Sequence, residues 1–193
     1  MSISTEVIKQ LRDSTGVSIM QCKKALEEVD GDIEKAKVIL QKYSKAAADK
    51  KSDRTLGAGT VASYIHQGGK VGVLVELMCE TDFVSKNEEF QALSKDIAMH
   101  IAALSPQFLR KEDLKEEDTI KAKEVFAEEV EGKPEELKEK ILQGKLDAYF
   151  NEKTLMEQFF IKNPEKTIAV ILDEAIQKFG EKVEVTRFVR YSI

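Results

Sequence analysis

Between residues 59 and 79 the apolar period of the chain drops to two, so the fold cannot be helical throughout. Val61, Ser63 and Ile65 alternate with Ala62, Tyr64 and His66. After Gln67-Gly68-Gly69-Lys70, the residues Val71, Val73, Val75 and Leu77 alternate with Gly72, Leu74, Glu76 and Met78. Successive side chains of a strand point to opposite faces, and a Gly-Gly pair supplies the backbone freedom of a tight turn. The pattern predicts a β-hairpin with at least one packed face.

The segments around the hairpin carry helical spacing. Residues 4–43 read as three short helices. Val7, Ile8 and Leu11 mark the first, which stops near Ser14-Thr15-Gly16. Ser18 suits an N-cap with Gln21 three residues on, followed by a stripe of Ile19, Cys22, Leu26 and Val29. Asp32 suits the cap of a third helix bearing Ile33, Ala36, Ile39, Leu40 and Tyr43. So small a bundle buries little apolar surface alone and suits a docking module. Lys45 to Arg54 lacks an apolar stripe and reads as a linker, with helix left open as its conformation.

Beyond the hairpin, residues 87–104 predict a helix with Phe90, Leu93, Ile97 and Ile101 on one side, ended by Ser105-Pro106. Ser85-Lys86-Asn87-Glu88 has the spacing of a capping box for it. Arg110 to Lys140 is strongly charged, with 8 Lys+Arg and 12 Asp+Glu. It holds an amphipathic piece with Ile120, Val125 and Phe126, a break at Gly132-Lys133-Pro134, and a helix carrying Leu137, Ile141, Leu142 and Leu146. Leu155 to Phe160 reads as irregular or extended, and 165–179 as a helix stopped by Gly180. Val183, Val185, Val189 and Tyr191 make a closing strand, with edge character from Arg187 and Arg190. The expected fold is α+β: a three-helix module over 1–44, a linker over 45–55, and a core over 56–193 with a three-stranded antiparallel sheet covered by helices.

Composition narrows the function. The 193 residues are 42% hydrophobic and 34% charged, as in a soluble globular protein. No apolar run approaches the roughly 20 residues that span a bilayer, and no basic-then-apolar leader opens the chain. A cytoplasmic protein without a membrane partner is expected, and two distant cysteines, Cys22 and Cys79, agree with a reducing compartment. The net charge of −5 argues against a nucleic-acid partner, since phosphate neutralisation supplies most of that affinity. The charge is uneven, +2 over residues 1–55 and −7 over the rest, which suggests two modules.

Chemistry-bearing motifs are scarce. Two histidines (His66, His100) and two cysteines without local ligand pairs make no zinc site, and no metal or cofactor is expected. Gly57-Ala58-Gly59 precedes a strand rather than a helix, the wrong order for a dinucleotide cradle. One short segment stands apart: Thr81, Asp82, Phe83 and Val84 link a strand to a helix. On spacing alone Phe83 and Val84 either fold back as a hydrophobic staple or offer an aromatic wedge to a partner's groove. Two other function classes stay open on residues alone. One is a binding or assembly module whose core only oligomerises. The other is an enzyme, whose turnover would depend on Asp82 or Cys79.

At these residues the chain resembles bacterial translation elongation factor Ts. The likeness rests on Val71 to Val84 (VGVLVELMCETDFV) with Asn87 following, on Ile8 to Gly16 (IKQLRDSTG), and on Cys22 to Leu26 with Gly31-Asp32. It extends to Ala98 to Ala103 (AMHIAA) before Pro106 and to Arg187 to Tyr191 (RFVRY). The chain departs from the family pattern at Val17, Ser18 and Gln21, at Tyr43-Ser44, and at Gln158-Phe159-Phe160. The resemblance implies a guanine nucleotide exchange factor that performs no covalent chemistry. It would bind elongation factor Tu in GDP-bound and nucleotide-free forms, disturb its magnesium site and release GDP. It implies a ubiquitin-associated-like first module, Thr81, Asp82, Phe83 and Val84 as the segment acting on the partner, and a homodimer. It further implies Leu11, Arg12, Thr15, Gly16, Met20, Lys23, Lys24, Asn87 and His100 as partner-binding residues.

Overall fold

The computed structural model describes residues 3–127 and 134–193. The break expected at Gly132-Lys133 lies outside the described residues; Pro134 immediately precedes the next helix.

Three helices open the chain, each started by a side chain that satisfies an otherwise unpaired backbone N–H. The Ser4 hydroxyl accepts from the Val7 N–H at the head of α1 (Thr5–Thr15), which ends at Gly16 with φ 69°. Ser18 accepts from the Gln21 N–H to start α2 (Ile19–Glu28). Asp32 accepts from the Lys35 N–H to start α3 (Ile33–Asp49). The polar stretch from Lys45 continues α3 to Asp49. Leu11, Cys22, Ala25, Leu26, Ala36 and Leu40 form the bundle's core with Ile8 and Val17. Ile19, on the expected stripe, sits in the first turn of α2 and is exposed; Ala25 takes a buried position instead.

The remaining elements run β1 (Ala58–Ile65), β2 (Val71–Cys79), α4 (Asp82–Ser85), α5 (Glu88–Leu104), α6 (Glu116–Ala127), α7 (Glu135–Lys153), β3 (Phe159–Phe160), β4 (Asn163–Thr167), α8 (Ile168–Phe179) and β5 (Val183–Ser192). The sheet order is β1-β2-β5, which puts the Val-rich strand in the centre and the arginine-bearing strand at an edge. The His66 N–H donates to the Val71 carbonyl at 2.9 Å to close the hairpin, and Ile193 donates to Lys70 at 3.1 Å, so β5 runs antiparallel to β2. The fold is α+β, as the periods predict.

Three local expectations are corrected. Ser85 is the last residue of α4, its hydroxyl donating to the Asp82 carbonyl; the helix that follows is capped by Asn87, whose Oδ1 accepts from the Glu89 N–H at 2.8 Å. Residues 165–167 belong to a two-stranded ribbon, β3 with β4, in which Phe159 pairs with Thr167 and Phe160 with Asn163. So short and polar a strand has no alternation to read. Ile120 and Val125 are exposed on α6, which buries Ala122 instead.

The chain divides into two compact units. The first comprises the chain up to Ala62, with Glu76–Ser94 and Ala169–Thr186. In it Ser44 hydrogen-bonds Gln177, Lys178 pairs with Glu89 at 2.7 Å, and the rings of Phe90 and Phe179 meet edge-on. Gly59 lies so close to β2 that a Cβ there would stand 2.6 Å from the Leu77 carbonyl oxygen. The second unit comprises Ser63–Val75, Lys95–Ile168 and Arg187–Ile193. Its buried side chains include Val73, Val75, Ile97, Ile101, Leu155 and Ile168, and a smaller aromatic cluster gathers on Ala122, Leu146 and Phe150.

Candidate functional site

β2 ends at Cys79 and α5 begins at Glu88, and α4 lies between them. On α4, neighbours part company: Val84 is buried at 4% exposure, while Phe83 is 82% exposed. The staple reading therefore holds for Val84 and fails for Phe83. One turn of helix separates side chains by about 100° per residue, so anchoring Val84 and Ser85 inward turns Phe83 outward.

The backbone of this turn is tied by its own residues. The Thr81 carbonyl accepts from the Ser85 N–H at 3.2 Å and from the Cys79 thiol at 3.2 Å. Burial, and then the nearby Glu181 charge, push that thiol up to about 11, so it acts as a donor and not as a thiolate. Asp82 is exposed and pairs with Lys86 at 2.6 Å; that hydrogen bond holds its carboxyl below the usual carboxylate range. Asp82 thus belongs to α4 itself and does not cap α5.

Residues distant in sequence complete the turn. Glu181 accepts from the backbone N–H groups of Glu80 and Thr81 and from the Thr81 hydroxyl. Glu80 in turn accepts from the Lys182 N–H at 2.6 Å and from the Arg54 guanidinium at 3.2 Å. The Lys182 bond, more than any other contact, holds the Glu80 carboxyl below its ordinary value. No local spacing signals Glu181 or Arg54, because both meet the turn only through the tertiary fold.

Comparison with known proteins decides the family. The family described as "Elongation factor TS" matches residues 48–193, and the one described as "UBA-like domain" matches residues 2–42. A protein named Elongation factor Ts from Thermosipho melanesiensis is 50% identical over 193 residues, covering 99% of this chain and 98% of its own length. One of the same name from Desulforamulus reducens is 50% identical, covering 99% of this chain and 89% of its own length. One from Thermotoga neapolitana is 43% identical, covering 100% and 98%. The chain belongs to the elongation factor Ts family.

In this family member the residues expected to meet a partner fall into three classes: exposed, half-buried and sealed. Arg12, Gly16, Met20, Lys23 and Lys24 are exposed on the bundle, and Met20 is 80% exposed. Lys24 stands 5.0 Å over the Tyr43 ring, and Lys23 pairs with Glu27. Thr15 is half-buried, its hydroxyl donating to the Leu11 carbonyl at 2.7 Å. Two expectations need correction, because the fold seals both side chains. Leu11 is fully buried in the bundle core, where it holds α1 in place and offers no side chain to a partner. His100 is fully buried in the second unit: its Nε2 meets the Gln158 Oε1 at 3.0 Å, and its Nδ1 accepts from the Ile161 N–H at 3.3 Å. Asn87 is half-buried and spent on capping α5.

Among the described residues no group of three or more His, Cys, Asp or Glu is placed to hold a metal ion, and no helix is long and apolar enough to cross a membrane.

Proposed function

We propose that this chain, by its family a nucleotide exchange factor for elongation factor Tu, releases GDP by pressing the Phe83 ring, with Asp82 beside it, into the partner's GTP-binding domain and disturbing its magnesium site. The observation that carries this reading is the outward ring of Phe83 on a turn whose neighbours Val84 and Ser85 are buried. A large apolar side chain held in water on a tied backbone loses little freedom when a partner covers it.

Magnitudes divide the labour. Covering one Phe contributes about 1.5–3 kcal/mol, one or two decades of affinity. Release of a tightly held nucleotide needs more than that, so docking by the module over 1–44, through Arg12, Thr15, Gly16, Met20, Lys23 and Lys24, supplies the rest and aims the wedge. The linker over 45–55 joins this module to the core over 56–193, which carries the wedge. A factor that weakens GDP binding by some ratio is itself weakened by GDP in the same ratio, so it prefers the nucleotide-free partner. Magnesium is among the largest local charges at a nucleotide site, and shifting its support loosens GDP disproportionately. Asp82, already ionised and paired with Lys86, brings a carboxylate to that task.

We also propose a homodimer. Ile65 and Leu74 of the second unit are exposed apolar residues on adjoining sheet strands, and an apolar sheet face of this kind is covered well by a second copy of itself.

Stopped-flow release of fluorescent GDP from elongation factor Tu tests the central claim. Catalytic amounts of this chain accelerate release, and Phe83→Ala slows the accelerated rate by roughly tenfold or more while leaving thermal unfolding unchanged. A Phe83→Ala variant as fast as wild type overturns the wedge.

A further inference from the structure

The four-residue helix that carries Phe83 is too short to hold its own direction. Its first-turn N–H groups have no helical partner, and its N-cap, Thr81, makes no side-chain bond to it. The Thr81 hydroxyl is instead turned toward Glu181, donating to Oε1 at 2.6 Å. The other carboxylate oxygen of Glu181 accepts from the Thr81 N–H at 3.0 Å and from the Glu80 N–H at 3.1 Å. An ionised acceptor makes each of these bonds stronger than its neutral counterpart.

We infer that Glu181 is a positioning residue for nucleotide exchange: by gripping both backbone and side chain of Thr81, it fixes the direction in which the following turn presents Phe83. The inference rests on the wedge reading given above. Because the Phe83 ring is exposed, packing of the ring itself does little to orient it, and its aim is inherited from the backbone, which buried Val84 and Ser85 hold on one side and Thr81 holds two residues upstream on the other. Glu80 answers the grip in reverse. It accepts from the Lys182 N–H at 2.6 Å and faces the Arg54 guanidinium at 3.2 Å and 3.3 Å. Two adjoining strand ends are therefore locked by reciprocal carboxylate-to-backbone bonds, and Arg54, outside any helix or strand, joins the lock.

Glutamine suits the place of Glu181 in shape. Its carbonyl oxygen can accept both N–H groups, and its amide can donate to the Thr81 hydroxyl, which then acts as acceptor. Alanine keeps none of the three bonds. The test measures fluorescent GDP release from elongation factor Tu over a range of factor concentrations, for wild type, Glu181→Ala, Glu181→Gln, Phe83→Ala and the double variant Glu181→Ala/Phe83→Ala. Misaiming a group by about 1 Å can cost on the order of a hundredfold, so Glu181→Ala should lower the saturating release rate on the order of tenfold or more. The half-saturating concentration changes less, because the bundle still docks. Glu181→Gln recovers most of the rate. In the double variant, removing Glu181 costs nothing beyond the loss of Phe83, since there is no ring left to aim.

Amide hydrogen exchange of the free protein gives an independent readout: the Glu80 and Thr81 N–H groups exchange faster in Glu181→Ala, while amides of the bundle do not. Thr81→Val, which deletes only the hydroxyl bond, lowers the saturating rate in the same direction and stands in if Glu181→Ala does not fold. Wild-type release by Glu181→Ala, with Phe83→Ala slow, overturns the inference and leaves the wedge standing. So does an equal loss from Glu181→Ala with and without Phe83, which would mark a general structural role. Wild-type release by Phe83→Ala removes the wedge and the inference together.

Discussion

His100 shows how a single residue changes meaning once its surroundings are known. It sits in a family-like block, AMHIAA, and the resemblance assigned it to a partner. In the fold it is sealed, and its Nδ1 already accepts a backbone N–H, so a proton there would face a donor. Burial depresses its pKa below the ordinary 6.5, against a smaller opposing effect of the Gln158 bond. The unfolded chain takes up a proton as pH falls through 6.5, whereas the folded chain does so only at lower pH. The stabilising contribution of a neutral His100 is therefore complete above 6.5 and is lost as pH falls through the folded value. Thermal unfolding followed from about pH 7.5 to about pH 5 should show this loss in wild type and a shallower slope in His100→Asn; equal slopes would contradict it. Phe83 and Val84 make the same point. Sequence spacing admits both as staple residues, and only the packing of Val84 decides that Phe83 faces water.

At the scale of elements, most of what holds each helix was legible. Ser18 and Asp32 cap where their spacing says, because a cap is a contact over three residues. Gly180, with φ 73°, ends α8 for an equally local reason. The β3–β4 ribbon was not legible. Asn163–Thr167 contains a proline and two charged residues and shows no alternation, and its strand form depends on pairing with Phe159 and Phe160. Misreading the cap of α5 had a similar cause, since Ser85 and Asn87 both suit an N-cap and the preceding short helix claims Ser85. α7 carries one residue that works against it. Gly144 is exposed within the helix, and a Cβ there meets nothing within 4 Å. Gly144→Ala should stabilise the protein by about 0.5–1 kcal/mol, since alanine loses less backbone freedom than glycine on entering a helix. Chemical denaturation measures this as a raised midpoint at constant slope; a lowered midpoint would count against it.

At the scale of the whole molecule, the sheet leaves the apolar side chains of Ile65 and Leu74 in water. Ile65 reaches to 3.0 Å from where a Cβ on Gly72 would lie, so the two share a face across the hairpin, and Leu74 follows Gly72 on the same face by strand alternation. If a second copy covers this face, sedimentation equilibrium should return twice the 21.7 kDa chain mass, and Ile65→Glu together with Leu74→Glu should return the single mass. A wild-type mass that stays single at every concentration would remove the dimer. By itself the sequence determined most of the elements, the caps of α2 and α3 and the α+β class, because periods, caps and turns are contacts between residues close along the chain. Only the tertiary structure decided that Leu11 and His100 are sealed, that Phe83 stands in water, and that Glu181 grips Thr81. Those facts depend on which distant segments pack together, and a local pattern can mark a face without saying what will cover it.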